Sequence, residues 1–261
     1  MNNLNMYCIC LHDNNYKNVK KLGYIPVGLG KNKFTSDWIS DDNGENISHK
    51  NAFYGEYTFH YWLWKNKIDL IENNKWIGFC AYRRFWTSNK NRFSIHKKED
   101  FLNNVPDEWK NYDTVIGQDI FVNKFKFIKL IKHGLRPLLH NPSAILEKNR
   151  NIMFHFDAFH GFGNLNKAID LLNIEDRNDF RIFVLKKASY NRGNMFICKS
   201  KKIIKDYYSS LFPWLEKCEK IFGFENLDGY NKTRIYGFLG ERFMSYWFQK
   251  NTKYKTMPVI I

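Results

Sequence analysis

Trp76-Ile77-Gly78-Phe79-Cys80-Ala81-Tyr82-Arg83-Arg84-Phe85-Trp86 opens as an unbroken apolar run and closes on an arginine pair flanked by aromatics. An apolar run this short, bounded by polar residues, reads as a strand buried on both faces, the kind found in parallel sheets covered by helices. Met6–His12, Tyr24–Gly30, Tyr112–Ile116 and Asn194–Cys198 read as further strands, and Tyr254–Ile261 as a last one. Between them, Phe53, Tyr57, Tyr61 and Trp64 form a helical stripe over Ala52–Lys67. Phe125–His133, Pro142–Asn149, Leu165–Leu172 and Gly237–Lys250 are expected as helices, and Ser200 as the N-cap of another that Pro213 should kink or split. Strand and helix alternate through the first half with no internal repeat or low-complexity linker. The expected fold class is therefore α/β, one domain with a mostly parallel central sheet flanked by helices. Ligands of such sheets bind beyond the carboxyl ends of the strands, which points to the loops after Leu29, Tyr82, Ile116 and Cys198.

Composition narrows the function. The chain has 261 residues, 44% hydrophobic and 18% aromatic, which excludes a disordered protein. No apolar run approaches the ~18–20 residues of a membrane span, and Met1–Cys10 lacks the pattern of a signal peptide, so a cytoplasmic location is expected. The five cysteines are odd in number and scattered, against a disulfide framework. The net charge is +15, and the first 70 residues hold eight Lys and seven Asp or Glu. The excess lies in the later chain without a dense block. Such a surface suits polyanions: nucleic acid, nucleotide diphosphates or anionic lipid headgroups. It equally suits a plain solvated surface.

Several residue sets carry candidate chemistry. Arg83 and Arg84, at a strand's carboxyl end, offer guanidinium forks for phosphate, and Tyr82 and its aromatic neighbours a face for a base or sugar; the bland alternative is a surface pair matched by acids. Glu56 is either a buried anchor or a ligand for hydroxyls. Asn191-Arg192-Gly193-Asn194 is either a plain turn or a place where backbone and amides approach a ligand. Glu241, read as lying in the first turn of the last helix, is stabilised there by the helix dipole or serves as a general base, with Arg242 or Arg234 near a phosphate. Asp119 follows a strand and is a second candidate carboxylate. His155-x-Asp157-x-x-His160 lacks zinc-protease spacing, so no metal site is assigned. Asp41-Asp42 reads as turn chemistry. There is no Asp-x-Asp, Walker loop, nucleophile elbow or dinucleotide fingerprint.

Four blocks, in order, add a resemblance. Asp42–Ser48 with Lys50-Asn51 and Tyr54-Gly55-Glu56-Tyr57-Thr58 through Tyr61-Trp62-Leu63-Trp64-Lys65-Asn66 is the first, and Trp76–Trp86 the second. Asn194–Ile197 and Gly237–Arg242 are the others. Together they resemble a bacterial capsular and exopolysaccharide biosynthesis family, some of whose members are assigned as glycosyltransferases, galactofuranosyltransferases among them. Two family positions differ: Gly55 replaces a cysteine and Ala81 a histidine. The resemblance implies a GT-A-like fold, with a nucleotide-binding part over about residues 1–125 and an acceptor-side part over about 126–261. It implies transfer from a nucleotide diphosphate sugar, expected to be uridine-linked, to a glycan or lipid-linked acceptor. Arg83 and Arg84 would bind the diphosphate, with Tyr82, Glu56, Asn191, Asn194 and Arg242 around the substrate, and Glu241 or Asp119 as base. Manganese or magnesium is admitted as a cofactor but not required. Peripheral contact with an anionic membrane at its inner face is expected, and nucleic acid is not. The alternatives are a non-catalytic sugar-binding or assembly subunit, and a nucleic-acid-binding protein.

Overall fold

Trp76–Ala81 is a strand, buried at all but its last residue, as its apolar character requires. The structure is a computed structural model and describes residues 3–30, 32–88, 98–125, 127–225, 227 and 229–260. Ile261, the end of the last expected strand, lies outside the described residues. In chain order the strands are β1 (Leu4–Cys10), β2 (Ile25–Gly28), β3 (Ile39–Ser40), β4 (Trp76–Ala81), β5 (Phe85–Trp86), β6 (Thr114–Gly117), β7 (Asp119–Phe121), β8 (Ser189–Asn191), β9 (Phe196–Cys198), β10 (Tyr254–Met257) and β11 (Val259–Ile260). Seven form one sheet in the order β10-β6-β9-β4-β1-β2-β3. β1 runs parallel to β2 and β4, β2 to β3, and β6 to β10. β9 runs antiparallel between β4 and β6. The mostly parallel α/β sheet expected from the sequence is thus the fold.

The chain divides into two compact units. Unit 1 comprises residues 1–118, 193–210 and 247–261 and holds the seven-stranded sheet. Unit 2 comprises residues 119–192 and 211–246 and is mainly helical, with β7 paired to β8.

Strand alternation builds the core of unit 1. Met6, Cys8 and Cys10 of β1 and Trp76 and Cys80 of β4 pack in one apolar layer with Trp86, Trp109, Val115 and Ile197. Tyr7 and Phe79, on the alternate positions, stack at 5.8 Å and meet Phe59 from the helix Tyr57–Asn66. Gly78 lets β1 and β9 close in on β4: a Cβ there would sit 2.9 Å from Met6 Cε and 3.1 Å from Ile197 Cγ1. All five cysteines are buried free thiols.

Some local expectations change. The stripe over residues 52–67 is two helices, Asn51–Tyr54 and Tyr57–Asn66, because Gly55 takes φ +59° between them. Pro213 lies inside one continuous helix, Lys201–Phe222. Pro142–Asn149 forms two 3-10 turns rather than an α-helix. The last helix begins at Ile235, which moves Glu241 beyond its first turn.

His60 is buried against Phe79 at 4.4 Å, with its Nδ1 2.6 Å from the Tyr208 hydroxyl. Burial pushes its pKa from 6.5 down to about 3. The unfolded chain therefore binds a proton that the folded chain refuses, and stability falls as pH drops through that window, by up to about 1.4 kcal/mol per pH unit. The thermal midpoint should fall between neutral and mildly acid buffer. In His60→Phe the fall should be shallower; an equal fall in both proteins would contradict this reading.

Candidate functional site

β1 is the hinge of the topology. The chain runs β1, β2, β3 toward one edge of the sheet, then returns to place β4 on the other side of β1. Connections leave β1 and β4 in opposite directions, which opens a crevice beyond their carboxyl ends. His12 follows β1 there, and Tyr82, Arg83 and Arg84 follow β4. Ala81 and Arg84 close a two-residue turn through Arg84 N–H to Ala81 O (2.8 Å) and Ala81 N–H to Arg84 O (3.1 Å). Tyr82 N–H donates to Ile9 O at 3.0 Å, tying the tip of that turn to β1. The Tyr82 ring meets His12 edge-on at 6.3 Å and carries the Arg83 guanidinium 4.7 Å from its centre. Arg83 is exposed and Arg84 half-buried. Among the described residues neither is matched by a carboxylate, unlike the pair of a plain surface.

β9 runs antiparallel to β4, so its start comes to the same edge. Gly193 (φ +98°) and Asn194 (φ +50°) form a left-handed turn before it. A Cβ on Gly193 would lie 3.4 Å from Arg84 Nη1, so glycine keeps that side of the guanidinium open. Asn194 is 7% exposed, and its Oδ1 is buried with no hydrogen-bond partner among the described residues. A buried acceptor without a donor costs about 1–3 kcal/mol. The left-handed region is one that asparagine tolerates better than most side chains, so the unpartnered oxygen is the less ordinary of the two features. At the end of β2, Gly30 N–H donates to Asp41 Oδ1 at 3.1 Å. Asp41 is fully buried, and burial raises its carboxyl pKa against the opposing bonds from Thr58 and Gly30. Glu56 is half-buried just ahead of the helix Tyr57–Asn66. A hollow of about 600 Å³, lined by Asn3, Trp76, Asp107 and Lys199 among others, lies at the amino ends of β1 and β4, the wrong edge for this site.

Unit 2 gathers the remaining residues into two linked sets. Asn191 Nδ2 donates to Asp119 Oδ1 at 2.9 Å across the β7–β8 pair, and Ser245 Oγ accepts from Asn191 N–H at 2.7 Å. Arg242 is 1% exposed and pairs with Glu241 at 2.7 Å. Its guanidinium covers the Tyr190 ring at 4.2 Å, and the Tyr190 hydroxyl bonds to Glu241. Arg242 Nη2 lies 3.3 Å from His160 Nε2, while His160 Nδ1 lies 3.0 Å from the carbonyl of Asn231. A carbonyl can only accept, so Nδ1 carries the proton and Nε2 accepts from Arg242. Burial, with the Arg242 charge second, holds the His155 pKa down to about 3 and that of His160 well below its usual range. The two histidines of the close-spaced triplet are thus neutral residues beside a buried arginine. Among the described residues no group of three His, Cys, Asp or Glu side chains could hold a metal ion.

The structure brings Tyr82, Arg83, Arg84 and Asn194 together in unit 1, and Asp119 with Asn191 and Glu241 with Arg242 in unit 2. Sequence reasoning missed His12, the hydrogen bond of Asp41 to Gly30, and the links of Tyr190 and His160 to the Glu241–Arg242 pair. His12 was within reach, since it ends the first expected strand. Asp41 resembles any loop aspartate, and Tyr190 depends on pairing across 70 residues, which no local pattern encodes.

The profile of the family described as "Domain of unknown function (DUF4422)" matches residues 6–252, and the chain belongs to that family. One solved structure, the WbbM bifunctional glycosyltransferase in its apo form, is similar over 100% of this chain at a TM-score of 0.66 and 20% identity. That likeness is one of fold, and this chain spans 45% of the length of that protein. No curated protein matches the sequence.

Removing one partner of a buried ion pair leaves an uncompensated charge, at a cost of about 3–5 kcal/mol. Arg242→Met should accordingly lower the thermal midpoint by roughly 6–20 °C. The double variant Glu241→Leu with Arg242→Met should recover much of that loss. A single variant melting with the wild type would show that the pair does not hold unit 2 together.

Proposed function

We propose that this chain is a glycosyltransferase that takes a sugar from a nucleotide diphosphate donor and passes it to a glycan or lipid-linked acceptor. The observation that carries the reading is the placing of Arg84 beside Gly193, beyond the carboxyl end of β4, where the next residue, Asn194, has an unpartnered Oδ1. The fold shared with WbbM and the four sequence blocks support it. The donor we favour is a uridine diphosphate sugar, with galactofuranose the first candidate and surface polysaccharide the product.

Sugar transfer leaves a nucleotide diphosphate, whose negative charge grows as the glycosidic bond breaks. Preorganised cations at that position stabilise the transition state more than the ground state. Arg83 and Arg84 are assigned this role, with Tyr82 as a face for the base and Asn194 Oδ1 accepting from a donor hydroxyl. A divalent ion in such a site is held by carboxylates. The turn after β4 offers guanidinium groups instead, so we derive no step through a metal. The base that deprotonates the acceptor hydroxyl is taken to be Glu241 or Asp119. Glu241 accepts from Tyr190 and pairs with Arg242, so its oxygens are engaged; Asp119 is exposed and is the more accessible of the two. Ala81, where the family pattern carries histidine, favours a second reading, a sugar-binding subunit without turnover.

Thermal shifts against uridine, guanosine, cytidine and thymidine diphosphates, each with and without manganese, test the assignment. At ~100 times its dissociation constant a ligand adds about 2.7 kcal/mol. In a chain of this size that is a shift of roughly 5–10 °C. We expect a uridine-selective shift, insensitive to manganese and absent in Arg83→Ala with Arg84→Ala. A full shift in that variant would remove the arginines from the site. Binding without turnover across an acceptor panel would favour the second reading. Asp119→Asn should lower kcat about 100-fold or more with little change in KM.

A further inference from the structure

The helix Phe127–His140 in unit 2 is apolar on two sides, and its own unit covers one of them. Leu130 is fully buried, packed with Ala144 and Phe154, and a Cβ on Gly134 would lie 3.8 Å from Phe154 Cζ. Arg150, 3% exposed, fastens both flanks of the helix. It donates to Asn123 O and Phe125 O before the helix and to Ala144 O and Ile145 O after it, at 2.9–3.2 Å. The helix is thus held in one orientation.

The other apolar side faces outward. Ile128, Ile131, Leu135 and Leu139 are 76, 47, 55 and 80% exposed. At about 100° per residue these four fall within roughly 80° of the helix circumference. Phe121, Ile145 and Leu146 extend the exposed apolar set, at 64, 52 and 52%. Beside the stripe, on the adjoining arc, stand the exposed Lys129, Lys132 and Arg136. Residues 120–146 contain five Lys or Arg and no Asp or Glu. A soluble face does not leave four large aliphatics in one row, and the core of a protein interface is depleted of lysine. A helix that lies in a bilayer surface has this arrangement: apolar groups toward the acyl chains, and basic groups alongside at the level of anionic headgroups.

We propose that the helix Phe127–His140 is a docking element that lies in the surface of an anionic lipid bilayer. Ile128, Ile131, Leu135 and Leu139 enter the acyl boundary, while Lys129, Lys132 and Arg136 meet the headgroups. The inference does not rest on the transferase reading, because binding is measured with no sugar donor present. Co-sedimentation with vesicles of phosphatidylcholine plus phosphatidylglycerol, and of phosphatidylcholine alone, tests it. The protein should bind the first far better than the second, and rising salt should weaken binding. Ile128→Ser with Leu135→Ser and Leu139→Ser should bind at least about tenfold more weakly while melting like the wild type. Lys129→Gln with Lys132→Gln and Arg136→Gln should lose about a hundredfold, near fivefold per charge, and serves also if the first variant misfolds. Absence of binding to the anionic vesicles would overturn the proposal, as would full binding by the charge variant. So would self-association of the wild type that the serine variant abolishes, which would make the stripe a contact between copies of this chain.

Discussion

The pairing of β4 with β1 is the constraint on which the rest depends. Six consecutive residues are in register, from Leu4 opposite Trp76 to Ile9 opposite Ala81. Side chains alternate along a strand, so a slip of one residue would send Phe79 to the face of Cys80 and reverse both layers of the core. It would also move the turn that carries Arg83 and Arg84. Gly78 makes the register possible, since β1 and β9 approach it too closely for a side chain. The same residue choices that bury the strand thus aim its arginines beyond the sheet.

The two groups of candidate residues differ in how fully their polar atoms are used. In unit 2 the chain Tyr190, Glu241, Arg242, His160 and the Asn231 carbonyl links donors to acceptors, although Arg242 Nε is buried without a partner among the described residues. Such a network holds a fold in place and leaves its members little capacity for a ligand. In unit 1 two guanidinium groups have no carboxylate partner among the described residues, and Asn194 presents a buried acceptor without a donor. Unused hydrogen-bonding capacity at a topological crevice is what a ligand site needs before its ligand arrives.

Much of the sheet was legible because its strands are short apolar runs with clear ends. β1, β2, β4, β6, β9 and β10 all fall within or beside the runs read from the sequence. The direction of β9 was not legible, since a strand reads alike in either direction until its neighbours are known. β3 has two residues and no pattern to recognise. The helix Ile152–His160 was hidden by its near-uniform apolar composition, which drew attention to its histidines instead. Gly55 broke an expected helix by taking a positive φ, while Pro213 failed to break one. Of the site, the arginines and Asn194 were visible as residue types at the end or start of strands. Their convergence was not, because it requires β9 to turn back against β4.

The most direct test of the account is a crystal structure of the chain with uridine diphosphate bound. The diphosphate should lie against the Arg84 guanidinium and the Gly193 backbone, with a hydroxyl of the nucleotide within hydrogen-bond distance of Asn194 Oδ1. A nucleotide seated elsewhere, with Arg83, Arg84 and Asn194 untouched, would contradict it.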